Sequence, residues 1–418
     1  MAVLNDIIIA DTIPLRSRGK WEAFLLIGSI TASFVGPVVA GALLASNLWR
    51  LHFYVYIAFI VFFIIPLVWR VKMPKAKGSL IEKIKGIDYI GNVILIVCCV
   101  STMIGFNWAG SKYAWDSPLI VSMLCIALAS LVVFVLYEKY YAKNPIIPLR
   151  CFNIRNVSCV YLIDIVFNAS AGYAYLNIAF YQISLDLSPA TAGLVANTPH
   201  SIVATLSAIV VAFLIQYTGR YRRFIFLTAI FNASGLIMRL FISRETSLAL
   251  ICASHAVNAG GVGMLHLSSI LAIQSSVEHK DIAIVTTLYS FFKSLSRTVG
   301  ICFMSAIFNS VISSKLRANL PADVDHNIIR QTLQSIDKIK ALNPPIRNAV
   351  ANSYLETMRL MYSISLCMVV FACFFMIGLR RYKLSEKVGA KPELDETKID
   401  RLINRYIFRE KPQSLPKN

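Results

Sequence analysis

The sequence has few acidic side chains and lacks the common signatures of catalysis and of ATP hydrolysis. Only 22 of its 418 residues are aspartate or glutamate, against 41 lysines and arginines. It contains no G-x-x-x-x-G-K-[ST] loop for ATP, no His-Glu-x-x-His zinc motif and no Gly-x-Ser-x-Gly turn. No carboxylates cluster in the sequence beside a candidate nucleophile. These absences argue against an enzyme, and against any process in which the chain itself hydrolyses ATP.

The nine cysteines show neither a disulfide framework nor the spacing of metal ligands. Eight of them lie inside apolar runs, where a cysteine behaves as a small hydrophobic residue. Only Cys151 stands alone on a predicted loop. The sequence therefore predicts no disulfide, no metal site and no cofactor.

Apolar residues dominate the chain. They make up 57% of it, and the mean hydropathy is +0.64, which a soluble domain of this length does not tolerate. Uninterrupted apolar runs of about 20 residues are typical of membrane-spanning helices rather than of barrel strands. We therefore predict an all-α, polytopic membrane protein with about ten transmembrane helices. The predicted spans are 21–45, 51–69, 87–109, 119–137, 157–181, 190–217, 224–242, 248–273, 283–312 and 354–379.

The basic residues lie between the predicted spans, which explains the net charge of +19 without a nucleic-acid partner. Segments 16–20, 70–85, 139–155 and 220–223 are rich in lysine and arginine, whereas the alternate segments hold few. Basic segments of membrane proteins remain on the cytosolic side. The alternation therefore predicts an integral, multi-pass protein with both termini in the cytosol.

The stretch from Gly28 to Gly41 combines the features of a kinked and closely packed helix. Gly36, Ala40 and Gly41 leave bare backbone on one side, so that a neighbouring helix can approach. Pro37 removes a backbone donor and bends the helix. On spacing alone, a packing motif in an unrelated membrane protein explains the pattern equally well.

The segment before this helix reads Asp11-Thr12-Ile13-Pro14-Leu15-Arg16-Ser17-Arg18-Gly19-Lys20. Together the two stretches resemble the fifth helix of the fourteen-span drug–proton antiporters of the major facilitator superfamily, whose Gly-Pro helix carries the antiporter motif. Further matches, in chain order, are the stretches Gly86 to Gly91, Asn144 to Asn156, Ser188 to Gly193, Tyr217 to Arg223 and Gly260 to Gly300. The resemblance covers about residues 7–380.

The resemblance implies a major facilitator fold in which the helices are equivalent to the family's helices 5–14. The segment 1–11 lacks the features of a secretory signal and is typical of the end of a preceding helix. We therefore expect that four N-terminal helices are missing, or that a partner chain supplies them. The implied domains are the remainder of an N-terminal bundle at 1–86, two linker helices and a cytosolic loop at 87–156, a C-terminal six-helix bundle at 157–379 with an extracytosolic loop at 313–353, and a cytosolic tail at 380–418.

By the same resemblance, the chain is expected to move small organic solutes across the lipid bilayer against protons, by alternating access. The fungal vacuolar basic amino acid transporters are most similar and the multidrug exporters follow closely, which implies basic amino acids or cationic drugs as substrates and the vacuolar or plasma membrane as location. The alternative is a truncated, transport-inactive or partner-dependent protein of the same fold. The residues that match the family's cytosolic gating loops are Asp11, Arg16, Arg18, Gly19, Gly219, Arg220 and Arg222.

Polar side chains inside the predicted spans are costly in lipid and mark a candidate pathway for substrate or protons. Asp164 is the one acid well inside a span, with Asn168 one turn further along. It suits a proton or a cationic substrate; alternatively, it lies near the inner interface and pairs with Arg155 or Lys143. The other candidates are Asn197, His200, Asn258, Lys293 and Arg297.

Lys293 and Arg297 are four residues apart on one helix face. Two cations in a span need an acid, a carbonyl or water, and a partner on the missing helices or an anionic substrate would also serve.

Other polar side chains of the spans are predicted to be structural. His255 and His266 are expected to be hydrogen-bonded within the bundle. Arg239, Glu356 and Arg359 lie near the outer ends of spans, where long side chains are expected to reach the interface.

Overall fold

In a computed structural model, the chain is described over residues 48–70, 86–110, 112–320 and 342–384, with Ile339 and scattered positions before residue 48. The described segments are almost entirely helical. In chain order the helices are α1 (Trp49–Arg70), α2 (Tyr89–Trp108), α3 (Pro118–Tyr140), α4 (Arg155–Ser170), α5 (Leu176–Ser184), α6 (Pro189–Thr218), α7 (Arg222–Leu240), α8 (Leu248–Ser275), α9 (His279–Asn319) and α10 (Pro344–Ile377). Short 3₁₀ turns occupy Leu149–Asn153 and Ala171–Tyr175.

In the described part of the chain, eight helical stretches are long and apolar enough to cross a membrane. This confirms the prediction of an all-α, polytopic membrane protein. The predicted span 21–45, with Pro37 and Gly41, lies largely outside the described residues, although Gly28 and Gly36 are helical. The predicted gating residues Asp11, Arg16, Arg18 and Gly19 also lie outside them.

Helices α9 and α10 run beyond their predicted spans into the segment 313–353. Helix α9 continues to Asn319, and α10 already begins at Pro344. Polar contacts join the two extensions: Lys315 pairs with Glu356 at 2.7 Å, and the Asn319 amide donates to a hydroxyl of α10 at 3.1 Å. Hydropathy does not reflect such contacts, and for this reason the sequence predicted the end of α9 too early and the start of α10 too late.

The predicted span 157–181 is interrupted. Helices α4 and α5 are separated by the 3₁₀ turn at Ala171–Tyr175, and Gly172 in that turn lies against the backbone of Gly300 in α9. A Cβ on Gly172 would overlap the Gly300 carbonyl. The turn therefore brings the backbones of α4 and α9 together without an intervening side chain.

Helices α4 to α10 pack as one bundle around a continuous apolar core. Helix α8 lies between α6 and α7, while α9 and α10 both pack against α4. Helices α2 and α3 form a hairpin that meets this bundle through α2 and α9. We call the end at which α4 begins, with residues 141–154, 219–221 and 378–384, the basic end.

Glycine permits the close crossings of α8. A Cβ on Gly263 would overlap the carbonyl of Ala204 in α6. A Cβ on Gly261 would lie 2.7 Å from the Thr228 carbonyl oxygen of α7. Because a side chain at either position would meet backbone, both neighbours can pack this closely only against glycine.

Two acids organise the α2–α3 hairpin at the basic end. Asp88 caps α2 and accepts a hydrogen bond from the Tyr137 hydroxyl at 3.0 Å. Glu138 is buried and accepts the backbone N–H groups of Ile146 and Ile147 at 3.0 and 3.4 Å. Both carboxylates therefore satisfy nearby donors and hold the hairpin and the loop after it.

The segment 379–384 folds back against the basic end. The Asn156 amide donates to the Arg380 carbonyl at 2.9 Å and accepts the Arg380 N–H at 2.7 Å. The Tyr221 hydroxyl accepts the N–H of Tyr382 at 2.9 Å. The segment is thus held through its backbone.

We expect Asn156→Ala to release the segment 379–384, because both hydrogen bonds to the Arg380 backbone are lost. Amide hydrogen exchange followed by mass spectrometry should rise there by about tenfold or more, and exchange in α6 should not change. Asn153→Ala, at an exposed asparagine of the preceding turn, is the matched control. Unchanged exchange at residues 379–384 in Asn156→Ala would show that the segment is held elsewhere.

Candidate functional site

Side chains from α4, α8 and α9 meet inside the bundle in a group that we call the Asp164 cluster: Asp164, His266, Tyr289 and Lys293. The Tyr289 hydroxyl donates to Asp164 Oδ1 at 3.0 Å. The Lys293 ammonium lies 2.9 Å from Nδ1 of His266, and the rings of His266 and Tyr289 stack with centroids 6.1 Å apart. An ammonium only donates, so Nδ1 of His266 accepts this hydrogen bond. The cluster thus links the three helices through polar contacts.

The Asp164 carboxylate is buried, with a relative exposure of 1%. The Ser269 hydroxyl lies beside it and the Lys293 charge acts on it, while Oδ2 has no hydrogen-bond partner among the described residues. Asp164 thus bonds to α9, and the alternative in which it pairs with Arg155 or Lys143 does not describe this structure. Because an ammonium lies nearby and one oxygen is unoccupied, the site can hold either an ionised or a protonated acid.

A second group, the Arg239 cluster, consists of Arg239, Tyr173, Tyr181, His255 and Tyr362. The Arg239 guanidinium donates to the Tyr173 hydroxyl and to Nδ1 of His255, the latter at 3.0 Å. The rings of Tyr173 and Tyr362 have centroids 5.6 and 5.9 Å from the guanidinium carbon. Since arginine only donates, Nδ1 of His255 carries no proton, and Nε2 donates to the Tyr181 hydroxyl at 2.7 Å.

The prediction that Arg239 reaches the membrane interface is wrong. Its relative exposure is 1%, and tyrosines and a histidine from other helices surround it. Arg239 lies one residue from the end of α7, which makes it look interfacial in the sequence. The sequence offers only a weak signal of its burial, namely tyrosines within the apolar runs of other spans.

The other two predicted interfacial residues lie at the end of the bundle opposite the basic end. Arg359 donates to the Ile242 carbonyl at 2.8 Å, and Glu356 forms its ion pair with Lys315.

His200 lies near both Arg239 and Arg297, whose charges act on its imidazole. The His200 side chain is half-buried, and Asn197 and Arg297 are exposed. Lys293 precedes Arg297 by about one turn of α9 and belongs to the Asp164 cluster. The structure therefore brings Asp164 near Lys293, and His200 near Arg297.

Asn168 and Asn258 use their amides within the helices. Asn168 donates to the Asp164 carbonyl of its own helix at 2.8 Å. Asn258 is 5% exposed and donates to the Asn232 carbonyl of α7 at 3.3 Å, where Gly235 packs against it. A role of either asparagine in a pathway stays a prediction.

The described part of the predicted gating loops lies at the basic end. Gly219 ends α6 with φ +66°, a left-handed conformation that favours glycine. Arg220 is exposed, and the Arg222 guanidinium lies over the Phe226 ring, 5.7 Å from its centroid. The turn thus presents basic side chains beside the end of α6.

The sequence matches a known protein family and is similar to fungal proteins. The profile of the Major Facilitator Superfamily matches residues 1–301. "Citrate exporter 1" of Yarrowia lipolytica is 27% identical over 384 residues, which cover 89% of this chain and 55% of that protein. "Multidrug resistance protein fnx1" of Schizosaccharomyces pombe is 27% identical over 363 residues, covering 85% and 68%. The chain therefore spans between 55% and 68% of the length of these two relatives.

A solved structure also resembles the chain. The bacterial homologue of the human lysosomal transporter Spinster, in its inward-facing and occupied conformation, aligns with a TM-score of 0.48 and 14% identity. The alignment covers 89% of this chain and 72% of that chain.

Proposed function

Since the chain belongs to the Major Facilitator Superfamily, we propose that it is a secondary active transporter of small organic solutes, coupled to protons and working by alternating access. The chain is an integral, multi-pass membrane protein, and the family assignment confirms the expectation that it is not an enzyme. The observation that carries the proposal is the Asp164 cluster, in which a buried carboxylate lies among three helices.

The cluster supports proton coupling because protonation would change the attraction between its helices. When Asp164 is ionised, the Lys293 ammonium of α9 supplies a nearby positive charge. When Asp164 takes up a proton, that attraction is lost and Lys293 keeps its contact with His266. Helices α4 and α9 meet without a side chain between them at Gly172 and Gly300, so the change in charge acts on a close helix pair.

The cluster gives less support to direct binding of a cation. Basic amino acids and cationic drugs are the substrates that the family resemblance suggests, and Asp164 is the acid that would attract them. Its carboxylate is buried, bonded to Tyr289 and close to Lys293. We therefore propose that Asp164 binds protons rather than a cationic substrate. The uptake test below includes one basic amino acid and one cationic drug-like compound.

We further propose that the basic end and both termini face the cytosol, in a vacuolar or plasma membrane. The charges at this end support the orientation, since Lys139, Arg150 and Arg220 all lie there. Cysteine labelling from one side of the membrane would test it. In a chain whose nine native cysteines are replaced by alanine, a cysteine introduced at Arg220 should react with an impermeant maleimide in inside-out vesicles and not in right-side-out vesicles.

We expect the reconstituted full chain to accumulate a solute when a pH gradient is imposed across the liposome membrane. Uptake of labelled lysine, tetraphenylphosphonium, succinate and citrate would be compared with that of empty liposomes. For the transported solute, the initial rate should rise several-fold, and a protonophore should remove the increase. A folded chain that moves none of these solutes would contradict the proposal and favour the transport-inactive or partner-dependent alternative.

A further inference from the structure

The two clusters together hold more basic than acidic side chains. Among the described residues that form or adjoin them, Arg239, Lys293 and Arg297 are basic and Asp164 is the one acid. Asp164 lies beside Lys293, which leaves the surroundings of Arg239 and Arg297 without a carboxylate from the described part of the bundle. The described part of this region is therefore electropositive.

Arg239 makes that positive charge permanent. A guanidinium does not lose its proton in proteins, and burying an unbalanced charge is costly. Neutral groups stabilise Arg239 here, namely the Tyr173 hydroxyl, Nδ1 of His255 and the aromatic faces. Its Nε has no hydrogen-bond partner among the described residues. The positive charge of Arg239 is thus stabilised by the dipoles of neutral groups, and a nearby anion would stabilise it further.

The neighbouring side chains that are exposed or half-buried in the described part of the bundle can donate hydrogen bonds. Arg297 on α9 is exposed, and its charge acts on the half-buried His200 of α6. Asn197 is exposed and lies one turn before His200, on the same face of α6. A guanidinium, an imidazole and an amide provide several N–H donors, which match the oxygens of a carboxylate.

We propose that the transported solute is an organic anion, and that one of its carboxylates binds between Arg297 and His200. The buried Arg239 supplies fixed positive charge behind this position. The inference rests on the proposed function and narrows its substrate class to carboxylates.

We expect the purified full chain, in nanodiscs of zwitterionic lipid, to bind labelled succinate or citrate saturably. Arg297→Gln should weaken this binding about tenfold or more, because a charge-assisted hydrogen bond is lost. Arg297→Lys should keep part of the affinity, since it retains the charge without the planar fork. Arg317→Gln removes an exposed arginine from the last turn of the same helix and should leave binding unchanged. Since Arg297 is exposed, its replacement does not disturb the core.

The proposal is overturned if both carboxylates fail to bind, or if Arg297→Gln and Arg317→Gln bind them as the unaltered chain does. Proton-driven uptake of lysine or tetraphenylphosphonium, without binding of succinate or citrate, would overturn the anion site and leave the proposed function standing. Carboxylate binding that depends on Arg297, without proton-driven uptake of any solute, would support the anion site and contradict the proposed function.

Discussion

Asp164→Asn is expected to reduce uptake driven by a pH gradient to the level of empty liposomes. An asparagine keeps the volume and can still accept the hydrogen bond from Tyr289, but it cannot bind or release a proton. The coupling of solute uptake to proton movement should therefore disappear, while the helices remain packed. Initial rates of uptake in proteoliposomes, at equal amounts of reconstituted protein, measure this effect.

Two comparisons make the Asp164 result specific. Asp116→Asn removes an exposed acid between α2 and α3 and should transport at the normal rate. Exchange of labelled for unlabelled solute, with no pH gradient, should survive in Asp164→Asn because it needs no net proton movement. Equal gradient-driven rates in Asp164→Asn and the unaltered chain would remove Asp164 from the proton pathway.

Gly263→Ala is expected to destabilise the protein by about 3 kcal/mol, as overpacking of a close helix contact does. Its added Cβ would overlap the carbonyl of Ala204, so α6 and α8 would have to separate. Helix propensity alone predicts the opposite sign, since alanine favours a helix by about 1 kcal/mol over glycine. The sign of the change in stability therefore distinguishes the effect of helix packing from that of helix propensity.

Thermal unfolding in detergent, followed by tryptophan fluorescence, measures this effect as a fall of several degrees in the midpoint. Gly193→Ala is the matched control, because it lies in the first turns of α6 and its Cβ would meet nothing within 4 Å among the described residues. It should leave the midpoint unchanged or raise it slightly. A midpoint for Gly263→Ala that equals that of Gly193→Ala would mean that α6 and α8 are not packed as described.

Sequence patterns located the spans well because a membrane helix is recognisable from consecutive residues. The predicted span 190–217 and the observed helix Pro189–Thr218 differ by one residue at each end. Ser188 caps this helix, Pro189 begins it and Gly219 ends it, and all three signals are local. Where the ends depend on another helix, as between α9 and α10, the prediction failed.

The sequence identified single members of the candidate site but not their partners. Asp164 and Lys293 were candidates because ionisable groups are costly in lipid. That Tyr289 binds Asp164 could not be predicted, since 125 residues separate them. Arg239 was misplaced for a related reason, because its partner Tyr173 lies 66 residues away and tyrosine counts as an ordinary apolar residue in a hydrophobic run. Contacts between distant residues become visible only in three dimensions.

Helix α9 is so long that even a small tilt would displace both of its ends. With 41 residues and a rise of 1.5 Å per residue, it is about 60 Å long, or roughly twice the hydrocarbon thickness of a bilayer. Gly300, close to its midpoint, rests directly on the backbone of α4, so a tilt of α9 would turn about this contact. A tilt of about 5° around this point would move the two ends by roughly 2.5 Å in opposite directions. Near one end lies the ion pair of Asp281 with Arg150, and near the other that of Lys315 with Glu356. A small rotation about this contact would therefore loosen or tighten the ion pairs near both ends of α9 at once.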